Sequence, residues 1–203
     1  MKLRAAVIAL GVLVALSACA APATAPTPTA TAADESAAAV VVAVDGVDVT
    51  TASGVSLGSF DYFADAGVAV GILTEAFGAE PVVDQVAGLD SPGYTRYDWT
   101  GFQLQALGEG ADRYPPLRVS VLVTDVGDLR IATTDGISVG QDADALATAN
   151  PGTQTFGGTY SMHLSDTTLT GPDGTTFSVY VGVAGQVGGQ IITITSPQVQ
   201  SDF

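Results

Sequence analysis

Alternating apolar and polar residues predict β-strands along most of the chain beyond residue 38. One face of a predicted strand carries Leu117, Val119, Val121 and Val123, and the opposite face carries Arg118, Ser120 and Thr124. Tyr94–Trp99 and Leu129–Thr133 show the same alternation. Further strands are predicted at Ala38–Val49, Val55–Phe60, Tyr160–Leu164, Phe177–Val183 and Gln190–Thr195.

Two stretches change to helical spacing. Between Tyr62 and Gly78 the apolar residues recur every three or four positions, Asp61 or Asp65 stands where an N-cap is expected, and Gly78 marks the end. A second, shorter helix is predicted to begin near Gln141–Asp144 and to end before Asn150.

Laid side by side, the two halves of this region read as one helix followed by about three antiparallel strands. The long crossovers that a parallel sheet needs are not evident. The pattern therefore predicts a single α+β domain over 38–203, with two tandem helix-plus-strand repeats, about 61–133 and 134–203, after an opening β-hairpin.

The first eighteen residues have the parts of an export signal. Lys2 and Arg4 precede an apolar run, Ala5–Leu16, which is too short to span a bilayer and is followed by small residues and Cys19. Leu16-Ser17-Ala18-Cys19 resembles a bacterial lipobox. The resemblance implies cleavage after Ala18 and a diacylglycerol group on Cys19; a plain secretory signal with an incidental cysteine is the alternative.

Residues 19–37 are rich in Ala, Pro and Thr and carry no large apolar side chain. Such a segment cannot form a core and is predicted to be an extended, solvated linker. The expected location is thus the extracytoplasmic face of the cell membrane, where the lipid anchor holds the domain.

Charge excludes one class of partner. The predicted cleavage removes both Lys2 and Arg4, which leaves four arginines against 21 acidic residues, a formal charge of −17. A chain with so few cations has no basic surface for phosphates, so we expect no nucleic-acid partner.

Three short motifs extend the resemblance beyond the lipobox. Leu73–Pro81, Tyr97–Phe102 and Thr134–Gly140, the last followed by an acidic helix start, resemble uncharacterised actinobacterial exported proteins. The predicted architecture is similar to the tandem repeats of β-lactamase-inhibitor-like folds, many of which carry cysteine pairs that this chain lacks. The resemblance implies a fold and no set of contact residues.

Candidate catalytic groups are few. Ser138 lies in Gly136–Gly140, which fits the G-x-S-x-G nucleophile pattern, but that pattern functions on a parallel α/β scaffold. His163, the sole histidine, is predicted to face solvent on its strand. We predict no catalytic residue, no metal site and no cofactor. A cell-envelope hydrolase, acting through Ser138 or a carboxylate pair as in glycosidases, and a calcium-binding lipoprotein remain alternatives.

The densest aromatic group is the remaining candidate. Tyr94, Tyr97, Trp99 and Phe102 could form an interaction surface, or could pack as core against the first helix. The sequence thus predicts a lipid-anchored, non-catalytic binding or interaction module. Its partner, an envelope protein or a small ligand, is not specified.

Overall fold

Strands make up most of the regular structure in the computed structural model, which describes residues 36–88, 93–108 and 112–200. One sheet contains β1 (Ala37–Val42), β2 (Gly46–Thr51), β3 (Ser56–Asp61), β8 (Asp125–Val126) and β9 (Leu129–Thr133). The other contains β4 (Val82–Val86), β5 (Tyr94–Trp99), β6 (Phe102–Leu107), β7 (Leu117–Val121), β10 (Gln154–Phe156), β11 (Thr159–Thr170), β12 (Thr176–Gln186) and β13 (Ile191–Val199). The helices of the described residues are α1 (Ala66–Phe77) and α2 (Ala143–Ala149).

The chain passes between the two sheets more than once. The five-stranded sheet has the order β3-β2-β1-β9-β8, and the eight-stranded sheet has the order β10-β11-β12-β13-β7-β6-β5-β4. Neighbouring strands pair antiparallel except β1 and β9, which are parallel. The central pairing of the larger sheet, β13 with β7, also joins distant parts of the sequence.

The predicted α+β fold with two tandem repeats is wrong. The fold is β-sandwich-like. The eight-stranded sheet combines β4–β7, which follow α1, with β10–β13, which follow α2, whereas β8 and β9 join β1–β3 in the other sheet. The predicted opening hairpin is present as the antiparallel strands β1, β2 and β3, but these strands form one sheet with β9, which pairs with β1, and β8. The prediction failed because it grouped strands by their order in the chain, whereas the pairings that build the sheets are nonlocal.

The core receives side chains from both sheets and from α1. Alternation along each strand directs one row of apolar side chains inward, as in β9, where Leu129 and Ile131 are buried. The largest fully buried side chains include Tyr62, Phe102, Leu73, Leu104, Leu117, Ile131, Met162, Ile191 and Ile194. A shared core of this kind is what holds two sheets face to face.

Local signals fix the ends of α1. The Asp65 carboxylate accepts hydrogen bonds from the backbone N–H groups of Gly67 (2.8 Å) and Val68 (3.3 Å), so Asp65 is the N-cap. Gly78 ends the helix in the left-handed conformation, with φ of 64°. No described helix combines the length and the apolar character needed to cross a membrane.

Candidate functional site

The aromatic group divides between core and surface. Trp99 and Phe102 are 3% and 0% exposed, and both rings pack against Phe77 of α1, at centroid distances of 5.7 and 5.3 Å. Tyr94 and Tyr97 are half-buried. Trp99 and Phe102 therefore belong to the core, and only the two tyrosines have surface to offer a partner.

Ser138 is inside the protein. It lies between β9 and α2, two residues after Gly136, and is 1% exposed. Its Oγ has no hydrogen-bond partner among the described residues. Because a nucleophilic serine needs a hydrogen-bonded base, this geometry lends no support to a hydrolase acting through Ser138.

His163 is exposed on β11, as predicted, and its ring stacks on Tyr180 of β12. The ring centroids are 3.8 Å apart and the planes differ by 17°. Burial, followed by the charge of Asp166, raises the pKa of Tyr180 above its ordinary value of 10.0, which keeps its hydroxyl protonated. The stacking holds the Tyr180 ring in place on the outer face of the eight-stranded sheet.

A row of polar residues crosses this outer face. Asp84, Arg96, Gln105 and Arg118 stand directly opposite one another on β4, β5, β6 and β7. Arg96 donates to the Asp84 carboxylate at 2.7 Å, the one salt bridge within the described residues. Two of the four arginines beyond the predicted signal peptide are thus in a single row.

Arg118 has a neutral partner instead of a carboxylate. Its Nε and Nη2 donate to Oε1 of Gln105 at 3.0 and 2.6 Å, and Gln105 is itself only 6% exposed. A guanidinium carries five N–H donors and keeps its charge at any ordinary pH. In the part of the chain that the structure describes, no acidic side chain neutralises Arg118.

A cavity of about 180 Å³ lies beside Arg118. Gln198 and Tyr180, opposite each other on β13 and β12, both line it. The Gln198 side chain lies over Gly182, where an added Cβ would come within 2.5 Å of its carboxamide. The complete lining is Leu107, Tyr114, Pro115, Leu117, Arg118, Tyr180, Pro197, Gln198 and Val199. We call this space the arginine cavity.

A second cavity, of about 390 Å³, adjoins the first and shares Leu107 and Tyr114 with it as lining residues. We call it the aromatic cavity, because Phe63 and Phe177 also line it, with their ring centroids 5.8 Å apart. Prolines and the β11–β12 turn complete its wall. An apolar group and a charged group of one ligand could therefore be held side by side.

Two carboxylates, Asp112 and Asp173, also line the aromatic cavity. Asp173 accepts hydrogen bonds from the backbone N–H of Thr175 at 2.9 Å and from its hydroxyl at 2.8 Å. These bonds lower the pKa of Asp173, the backbone bond contributing most, so its carboxyl stays ionised. Its first role is to fix the turn between β11 and β12.

Other predicted features stand apart from this site. Cys19, the predicted signal peptide and residues 19–35 of the predicted linker lie outside the described residues, and β1 begins at Ala37. Within 36–88, 93–108 and 112–200, no three His, Cys, Asp or Glu side chains are grouped as they would be to hold a metal ion. The described residues therefore give no support to the calcium-binding alternative.

Sequence reasoning missed most of the two cavities. It placed Arg118 on the polar face of its strand but attached no role to it, and it did not consider Tyr114, Tyr180 or Gln198. The only local signal was weak, because Arg118 shares its place in an alternating strand with Arg96 and Arg130. The cavity itself depends on β13 pairing with β7, which local sequence does not specify.

Comparison with known proteins finds no relative. No protein-family model matches the chain, and neither the curated proteins nor the solved structures contain a match.

Proposed function

We propose that this protein is a lipid-anchored binding module on the extracytoplasmic face of the cell membrane, and that it binds a small ligand in the arginine and aromatic cavities. One observation carries the proposal: two adjoining cavities, one with a guanidinium and the other with aromatic walls, share Leu107 and Tyr114. Concave sites with mostly apolar walls and a few polar groups are the usual form of small-molecule sites.

The chemistry of the arginine cavity favours binding over catalysis. Arg118 offers a guanidinium, and Gln105 and Gln198 offer neutral amides, so these groups hold a ligand by hydrogen bonds without exchanging protons. Tyr180, with its raised pKa, is a hydrogen-bond donor at neutral pH. The lining thus supports recognition and orientation of a ligand.

The anchor is proposed from the N-terminal sequence. Lipidation of Cys19 would fix the chain to the membrane, and residues 20–37, if extended, would reach on the order of 50 Å at about 3.1 Å per residue. The binding domain would then be displayed away from the bilayer, where an exported ligand could reach it.

Metabolic labelling tests the anchor. Cells expressing the full chain are fed an alkyne analogue of palmitate, and the purified protein is examined for the label and for membrane fractionation. We expect the wild type to carry the label and Cys19→Ala to lose it. The matched control adds Ala21→Cys to Cys19→Ala, which restores a thiol outside the lipobox; labelling of this double variant, or an unlabelled wild type, would contradict the proposed anchor.

Methyl NMR tests the binding site. A library of small charged and neutral compounds is titrated into the full chain in a nonionic detergent, with leucine methyl groups labelled. Ligands of the proposed site should shift the methyl signals of Leu107, which lines both cavities. Leu129 on β9 in the other sheet is the internal control. A library that leaves Leu107 unmoved, or moves Leu129 equally, would count against the site.

A glycosidase is a second candidate because Asp112 and Asp173 line the same aromatic cavity. Glycoside hydrolysis uses two carboxyl groups, and Asp173, whose hydrogen bonds lower its pKa, would act as the ionised member of the pair. Release of nitrophenol from aryl glycosides tests this candidate. Activity that is lost in Asp112→Asn and kept in Asp84→Asn would support a glycosidase, and an inactive wild type would speak against it.

A further inference from the structure

We propose that the ligand is a monocarboxylate with an apolar body, its carboxylate bound by Arg118 and its body lying in the aromatic cavity. This inference rests on the proposed function, because it names the ligand class of the same two cavities. It follows from the charge of Arg118, the sizes of the cavities and the charge of the whole chain.

The hydrogen-bond donors of Arg118 point to an anion. Two of its five N–H groups donate to Gln105, and the described residues supply no acceptor for the other three. A planar guanidinium matches the two oxygens of a carboxylate in a bidentate pair. The chain has acidic residues in large excess, yet Arg118, which lines the cavity, pairs with the neutral Gln105. Its positive charge is therefore available to an anionic ligand.

Cavity size separates the charged group from the body of the ligand. The arginine cavity, about 180 Å³, is smaller than the roughly 300–1,000 Å³ of ordinary ligand sites and suits a carboxylate with a few further atoms. The adjoining aromatic cavity, about 390 Å³, is large enough for a ring or a short aliphatic chain. Phe63 and Phe177 offer that body apolar and aromatic contact.

The net charge limits the ligand to a single negative charge. At −15 for the whole chain, the protein repels anions at long range, and the repulsion grows with the charge of the ligand. Asp112 and Asp173 in the aromatic cavity repel a second anionic group at close range. A monocarboxylate satisfies Arg118 with the least repulsion, whereas a phosphate dianion or a dicarboxylate is disfavoured.

Neighbouring donors complete the arginine cavity. Gln198 and Tyr180 line it together with Arg118, and His163 holds the Tyr180 ring by stacking. Gly182 leaves room for Gln198, because a Cβ at that position would meet the carboxamide. His163 and Gly182 are thus positioning residues for the carboxylate site.

Arginine side-chain NMR tests the proposal directly. The full chain, ¹⁵N-labelled in a nonionic detergent, contains only five arginines, so each Nε–Hε signal can be followed separately. The probes are 3-phenylpropionate, its uncharged amide, acetate and inorganic phosphate. We expect 3-phenylpropionate to shift the Arg118 signal saturably, with at least tenfold higher affinity than its amide, acetate or phosphate. Arg118→Gln identifies the signal and should weaken 3-phenylpropionate binding at least tenfold.

Two further variants test whether binding depends on the charge of Arg118 alone, on its bidentate geometry, or on the net charge of the protein. Arg118→Lys keeps the charge without the bidentate geometry and should bind 3-phenylpropionate between the wild type and Arg118→Gln. Arg130→Gln removes an exposed arginine of β9 in the other sheet and should bind as the wild type does. Equal weakening in Arg130→Gln would show a general charge effect and would overturn the proposal.

Other outcomes are equally decisive. Preference for phosphate, equal binding of the amide, or no shift with any probe overturns the carboxylate assignment. If neutral compounds still shift the Leu107 methyl groups, the proposed binding site survives and only the ligand class fails.

Discussion

Tyr62 directly follows β3, and its hydroxyl bonds to the turn between β1 and β2. It is fully buried and contacts the carbonyl oxygens of Ala43 (2.8 Å) and Gly46 (3.2 Å). Ser196 of β13 donates to the same Ala43 carbonyl at 2.8 Å, so this carbonyl also connects the two sheets. A buried polar group of this kind stabilises the fold only while its partners are satisfied.

Replacing Tyr62 by Phe should lower the free energy of unfolding by about 0.5–1.5 kcal/mol at neutral pH, because the hydroxyl bond is lost while the ring is kept and both carbonyl groups retain another donor. Urea denaturation of both proteins measures the difference. Tyr94→Phe, which alters a half-buried tyrosine, is the control and should change stability far less. Equal stability of wild type and Tyr62→Phe would show that the buried bond contributes nothing.

The same residue predicts a pH dependence. Burial, the largest cause, raises the pKa of Tyr62 well above its ordinary value of 10.0, which is the value expected in the unfolded chain. The unfolded chain therefore loses the proton first, so the stabilisation is complete below about pH 10 and declines as the pH rises further. The stability difference between wild type and Tyr62→Phe should shrink from pH 9 to pH 11, and a difference that grows over that range would contradict the assignment.

At the scale of single elements, α1 depends on its N-cap. Asp65→Ala removes the acceptor for two backbone N–H groups and should destabilise the protein by about 0.5–2 kcal/mol. Gly71→Ala is the opposite case, because an added Cβ meets nothing within 4 Å in the helix interior and should stabilise by about 0.5–1 kcal/mol. Thermal unfolding of the two variants measures both, and a stabilising Asp65→Ala would refute the capping role.

The positions of individual strands and helices were predicted far better than the pairing between strands. The bounds of β5 and β9 were obtained correctly, because strict alternation is a local signal, and the predicted N-cap and C-cap of α1 include the observed Asp65 and Gly78. β6 was missed although Phe102, Leu104 and Ala106 alternate with two glutamines, which is the same local signal. The β1–β9 and β13–β7 pairs join segments distant in sequence, and no local pattern encodes such a pairing.

The same limit applies to the candidate site. The polar face of β7, with Arg118, was visible in the alternation. Gln105 opposite Arg118 requires the β6–β7 register, and Gln198 requires β13, which pairs with β7 only in the folded sheet. Sequence reasoning could therefore find the arginine but not the cavity, because residues of four strands, β6, β7, β12 and β13, line it.

For the molecule as a whole, charge repulsion should limit stability. The chain carries −15 at pH 7, and Arg96–Asp84 is the one salt bridge in the described ranges. Raising NaCl from about 20 to about 500 mM should therefore raise the melting temperature at pH 7, because salt screens like charges. Near pH 4.1, the isoelectric point, the salt effect should largely vanish. Differential scanning calorimetry measures both, and a melting temperature that falls with salt at pH 7 would contradict this view.

The central claim is that the molecule displays a carboxylate-binding site built around Arg118. Isothermal titration calorimetry of 3-phenylpropionate into the full chain tests it most directly. The account predicts saturable binding of one probe per chain, retained in Arg130→Gln and weakened at least tenfold in Arg118→Gln. Binding of equal strength to wild type and Arg118→Gln, or no saturable heat from the folded wild type, would contradict it.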